Sequence, residues 1–212
     1  WSPLVASAKY LMVTDHWITA DDSQTVDIEV YHHPNHGYNI SLIVDAVKLA
    51  LSQQYEKWGK FPFENLRIVE IPNGMKETKV SGNLIVIPED KIWLHDYRIA
   101  PEIDWITFQI HRDIAKVWWS TVPIADVSGH AVLAKAIPII SGLEGVEDNH
   151  GMPALAQLEQ IIRDTYLRDR TTEEEEEATL VALNDEKYAI NKGVLGLLEV
   201  RRILGAEVFN EV

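Results

Sequence analysis

The stretch Trp105-Ile-Thr-Phe-Gln-Ile-His-Arg-Asp-Ile-Ala-Lys-Val-Trp-Trp119 decides how the rest of the chain is read. Ile106, Ile110, Ile114, Val117 and Trp118 recur at helical spacing, so the segment is a helix with one face in a core. Pro101, with Glu102 and Asp104 after it, predicts a helix start near Glu102, where the dipole favours acids. Arg112 and Lys116 lie four apart and share a face, with Asp113 beside them. Read from these residues alone, that is a solvated charged face. A second helix, predicted over Gly129 to Ser141, is almost wholly apolar apart from His130 and Lys135. A lysine in such a helix either snorkels to water or faces a cavity.

The 212 residues suffice for a large domain with a substantial core, and a composition of 46% hydrophobic and 25% charged residues is that of a soluble globular protein. A net charge of -14 argues against nucleic acid or an anionic membrane as partner, because both are held mainly through Lys and Arg. Without cysteine there is no disulfide framework and no thiolate metal site. No apolar run reaches the ~20 residues of a membrane span. The start, Trp1-Ser-Pro, carries neither a basic leader nor an initiator Met, as expected of a piece of a longer polypeptide.

Working outward, Val5 to Val13 and Thr25 to Tyr31 read as strands around a turn at Asp21-Asp22-Ser23. His32-His33-Pro34-Asn35-His36 places three imidazoles within five residues. Pro34 prevents a helical arrangement of them and no carboxylate stands among them, so a polar turn is the expected reading. Asn39 to Trp58 has helical period, with Asn39 or Ser41 as cap and Gly59 as stop. Leu66 to Pro72 and Leu84 to Ile87 read as strands, with a loop or edge hairpin between. Residues 152 to 170 and Tyr188 to Leu204 read as helices, the latter interrupted at Gly193, and Gly205 starts a last one. Glu173 to Glu177 is a solvated acidic run. The elements make an α+β chain, and none of the complete short motifs of hydrolases or nucleotide-binding proteins is present.

Five segments, taken together and in order, carry a resemblance: Tyr31-His-His-Pro-Asn-His-Gly-Tyr-Asn39, Trp58-Gly-Lys-Phe-Pro-Phe63, Leu66-Arg-Ile-Val-Glu70, Val117-Trp-Trp119 and Asn191-Lys-Gly193. They resemble the gluzincin aminopeptidases, membrane alanyl aminopeptidase-like, and within them the bacterial branch fused to ABC-transporter permeases. The resemblance implies a thermolysin-like (zincin) α+β domain over residues 34–212, mostly helical with a small sheet and cut short at its C-terminal end, preceded by residues 1–33 as the terminal strands of an upstream β domain. It also implies a membrane-associated parent protein with this domain on its extracytoplasmic, periplasmic side.

Carried over by spacing from Trp118-Trp119, the family's two histidine ligands fall on Arg112 and Lys116, its general base on Asp113, and its glutamate ligand on Lys135. Val80 stands where the substrate amine would be held, and Ile190 where a tyrosine would stabilise the oxyanion. Zinc needs lone pairs from imidazole or carboxylate. Arg has none and Lys must lose a proton to offer one. The resemblance therefore implies a degenerate site without zinc or catalysis, and a binding, scaffolding or regulatory role. Peptide or protein ligands, or other domains of the same polypeptide, are the expected partners. Three cations drawn together repel, so Arg112, Lys116 and Lys135 must splay, find acids, or hold an anion such as a carboxylate. The competing expectation is a residual metal-dependent aminopeptidase or other hydrolase using Asp113 with His111, or the group His32, His33 and His36.

Overall fold

The computed structural model describes residues 4–75, 77–96, 103–121, 129–171, 179 and 186–211. The acidic run at Glu173 to Glu177, the expected helix start at Pro101 and Glu102, and the side chain of Tyr188 lie outside the described residues. The chain divides into two compact units, Trp1–Val122 and Pro123–Val212.

The first unit is a five-stranded sheet with two helices. Its strands are β1 (Leu11–Ile18), β2 (Thr25–His32), β3 (Asn65–Ile71), β4 (Lys79–Ser81) and β5 (Leu84–Pro88), with α1 (Ile40–Trp58) between β2 and β3 and α2 (Trp105–Thr121) after β5. The strand order is β1-β2-β3-β5-β4. β2, β3 and β5 run parallel, and antiparallel β1 and β4 close the two edges. The two strands read from the sequence before residue 33 appear here as β1 and β2 of this sheet.

Alternation sets the faces. Ile28, Val30, Leu66, Ile68, Ile85 and Ile87 enter the main core with Ile43, Val47, Ala50 and Leu51 of α1 and Ile106, Ile110, Ile114 and Val117 of α2. Val69, Ile71 and Val86 point the other way and form a smaller cluster with Tyr10 and Tyr31. β1 begins later than the expected Val5, because its ladder runs from Leu11 opposite His32 to Ile18 opposite Thr25. The turn joining it to β2 contains Asp21, whose Oδ1 accepts the Ser23 N–H at 3.1 Å.

The helix ends follow local chemistry. Asp104 caps α2: its Oδ1 accepts the Thr107 N–H at 2.9 Å and its Oδ2 the Thr107 hydroxyl at 2.7 Å. Asn39 occupies the cap position of α1 but makes no side-chain cap bond. Its amide, buried, instead donates to Ile92 O at 2.7 Å and His95 O at 2.9 Å, tying down the segment after β5. Gly59, at φ 77°, ends α1 with its N–H on Tyr55 O, as its sequence position predicts.

The second unit consists, in its described residues, of α3 (His130–His150), α4 (Met152–Thr171), α5 (Glu186–Leu204) and α6 (Ala206–Glu211). α3 packs on both α4 and α5, which pack on each other. α3 runs nine residues past the expected end at Ser141. Ala136, Ile140, Leu143 and Val146 form a buried stripe that carries the helix through Gly142 and Gly145. α5 likewise passes Gly193 without a break, with Val194 and Leu198 in the core. Ion pairs join the helices: Arg201 meets Glu144 and Glu147 of α3, and Arg202 meets Glu159 of α4.

Candidate functional site

α2 holds the residues singled out by sequence. Asp113 is fully buried, and its Oδ1 accepts from Lys116 Nζ at 2.9 Å and from Arg112 Nε at 3.1 Å. Its Oδ2 accepts from the Gln109 amide, which also donates to Thr78 Oγ1 at 2.9 Å just before β4. Arg112 Cζ lies 5.8 Å from the centre of the Phe108 ring. The helix thus forms a clasp, with cations at 112 and 116 closed on the acid at 113. Of the three fates open to these cations, Arg112 and Lys116 have found an acid.

The electrostatics follow from this geometry. Burial pushes the Asp113 carboxyl up, but the charges and hydrogen bonds of Arg112 and Lys116 outweigh it and hold the group below the ordinary carboxylate range. Burial pulls Lys116 below the usual lysine range, against the opposing pull of Asp113. As ligands for zinc, positions 112 and 116 do not fit. A guanidinium has no acceptor, and the ammonium spends its protons on Asp113. Asp113, with both oxygens accepting, is a poor general base.

The remaining positions are distributed as follows. Val80 is on edge strand β4 and packs against the main core. Lys135, half-buried on α3, and Ile190 on α5 belong to the second unit. His111, named with Asp113 as an alternative catalytic pair, is turned away: its Nδ1 meets Thr107 O and its Nε2 meets Gln53 Oε1, both at 2.8 Å. The three histidines near β2 do not converge. His32 is buried with Nδ1 on His33 O at 2.9 Å, whereas the His33 and His36 rings lie 4.8 Å apart. His36 pairs with Glu70 of β3, and Glu89 lies beside them. The sequence offers no local signal for that meeting, because the carboxylates arrive from other strands.

No family model matches the sequence, and no curated protein matches it. Solved structures do. A two-domain M1 zinc metallopeptidase variant bound to L-arginine superposes with a TM-score of 0.65 at 14% identity, covering 95% of this chain and 42% of that one. The M1 zinc metallopeptidase from Deinococcus radiodurans gives 0.64 at 15% identity, again covering 95% and 42%. The chain has the fold of a part of M1 zinc metallopeptidases. At these identities the likeness is one of fold, and the chain spans less than half of the structures it matches. The helix with the Asp113 clasp and the small mixed sheet are thus elements of a fold also found in zinc metallopeptidases.

Proposed function

We propose that this chain is a thermolysin-like peptidase domain that has given up catalysis, a pseudopeptidase serving binding, scaffolding or regulation in a larger protein. The observation that carries the reading is the Asp113 clasp. Where a zinc peptidase needs two imidazoles and a free carboxylate, α2 presents two cations that donate to the one acid. The positive charge that a metal ion would bring is supplied by side chains, which Asp113 meets within the helix while Glu77 acts on Lys116 from outside it. The partly exposed pair Arg112 and Lys116 suits a carboxylate or an acidic peptide segment, from a separate partner or from a neighbouring domain of the same polypeptide. The segment resemblance favours a parent protein of the ABC-transporter permease-fusion kind, with this domain on the extracytoplasmic side. No described helix is long and apolar enough to cross a membrane.

Turnover of a panel of aminoacyl-amide substrates tests the reading, with and without added zinc. The expected result is no activity above buffer in either condition. Zinc-dependent turnover that Asp113→Asn abolishes would overturn it and revive the residual-hydrolase alternative.

A further inference from the structure

The three parallel strands β2, β3 and β5 end at one rim of the sheet, and ligating side chains meet there. Glu70 is opposite Ile87 in the β3–β5 ladder, and Glu89 lies two residues beyond Ile87. Parallel partners share a face and alternate residues repeat it, so both carboxylates stand on the core side, where the hydrophobic row runs out. The Glu89 N–H continues the ladder to Ile71 O at 2.9 Å and fixes its backbone. His36 arrives from the turn after β2, closed by its N–H on His33 O at 2.9 Å. One ligand atom from each of His36, Glu70 and Glu89 lies within 4.8 Å of the others.

The charge balance at this rim is incomplete. The Glu70 side chain is 4% exposed, and it meets His36 Nδ1 through one oxygen and the His33 N–H at 2.6 Å through the other. Among the described residues neither Glu70 nor Glu89 forms an ion pair with a lysine or arginine. Two carboxylates this close repel, and one imidazole offsets at most one of them. A dication offsets both.

We propose that His36, Glu70 and Glu89 form a binding site for a divalent transition-metal ion of the zinc class, separate from the degenerate positions on α2. One imidazole nitrogen and two carboxylate oxygens are donors that zinc, cobalt and manganese accept, and three protein ligands leave a position for water. Ligand bonds of ~2.1 Å put donor atoms ~3.4 Å apart in a tetrahedron. To reach that geometry His36 and Glu70 separate slightly, and Glu89, half-buried and held among the described residues by the Asn73 N–H at 3.3 Å, swings inward. The ion would pin the turn after β2 to the ends of β3 and β5.

Calorimetric titration of the chelator-treated protein with zinc chloride at pH 7, paired with thermal melts, tests this. One equivalent is expected to bind with a rise in Tm. Glu89→Gln and His36→Ala are each expected to weaken binding at least tenfold, while His16→Ala, at an exposed ring on β1, leaves it unchanged. Glu89→Gln is decisive, because the amide keeps an acceptor for Asn73 and should leave the fold intact by circular dichroism. Absence of saturable binding, or binding that both variants leave unaltered, would overturn the proposal. Neither result bears on turnover, so this site and the pseudopeptidase reading fail independently.

Discussion

Replacing Asp113 by Asn removes the acid from the clasp without changing its shape. Asp113 is 0% exposed, whereas the side chains of Arg112 and Lys116 are 21% and 33% exposed. Breaking a fully buried ion pair by deleting one partner costs about 3–5 kcal/mol. Both cations here reach solvent and relax into it, which lowers the expected cost to about 2–3 kcal/mol. The new amide adds a mismatch. If its oxygen stays on Lys116, its NH2 faces the Gln109 donor, and one bond to Gln109 is lost unless that side chain turns and gives up Thr78. All seven tryptophans lie at or before position 119, so tryptophan fluorescence during urea denaturation follows the first unit alone.

The pH dependence carries the sharper signature. Asp113 is depressed in the folded state, so its contribution is present above the unfolded value of ~3.9 and fades as pH falls through the folded one. The wild type should lose stability along that acid limb, and Asp113→Asn should lack this component. Lys116 behaves differently, because burial lowers it. Its unfolded form binds the proton more tightly, so stability from this group rises with pH toward the ordinary lysine value of ~10.4. Without Asp113 the folded value drops further and the rise begins nearer neutrality. An Asp113→Asn protein within about 0.5 kcal/mol of wild type at pH 7, with an unaltered acid limb, would refute the clasp as an energetic unit.

Two further outcomes are expected. Asn39→Ala deletes buried bonds to the carbonyls of Ile92 and His95, and should cost about 1–3 kcal/mol and speed amide exchange over residues 92–95; unchanged exchange there would count against the anchoring role. Asp21 is held at about 2 by hydrogen bonds from Ser23 and Thr19, so its carboxyl should titrate near that value by NMR, and its contribution should fade only as pH falls from ~4 toward 2. A midpoint near 4 would show that the turn does not hold the carboxylate.

Much of the first unit was legible because its periods are clean. Ile43, Val47, Ala50 and Leu51 specify α1, and the alternation in β2, β3 and β5 specifies their faces. The ends were less legible. α2 starts at Trp105 under an Asp104 cap, and Asn39 gives its amide to a distant loop instead of to its own helix. The expected end of α3 at Ser141 and the expected interruption of α5 at Gly193 both give way, because buried stripes override single glycines whose cost is about 1 kcal/mol. At the site, spacing singled out Arg112, Asp113 and Lys116, but the pairing of both cations with Asp113 depends on the burial of the carboxylate, which spacing does not encode. Nothing local in the sequence announced that Glu70 and Glu89 would meet His36, since the strands that deliver them are joined only by tertiary pairing.

The parallel pairing of β2 with β3 has a consequence for how the chain acquires its structure. The ion pair between Glu29 and Arg67 joins residues 38 positions apart, with all of α1 in between. Closing so long a segment costs conformational entropy before the ladder returns any free energy, whereas the helices of the second unit form largely from neighbours in sequence. During synthesis the hairpin of β1 and β2 emerges before α1, and its inner edge stays open until β3 has followed α1 out. For that interval β2 keeps one open edge and an uncovered apolar face, and the speed with which α1 folds over it sets how long they stand exposed to other chains.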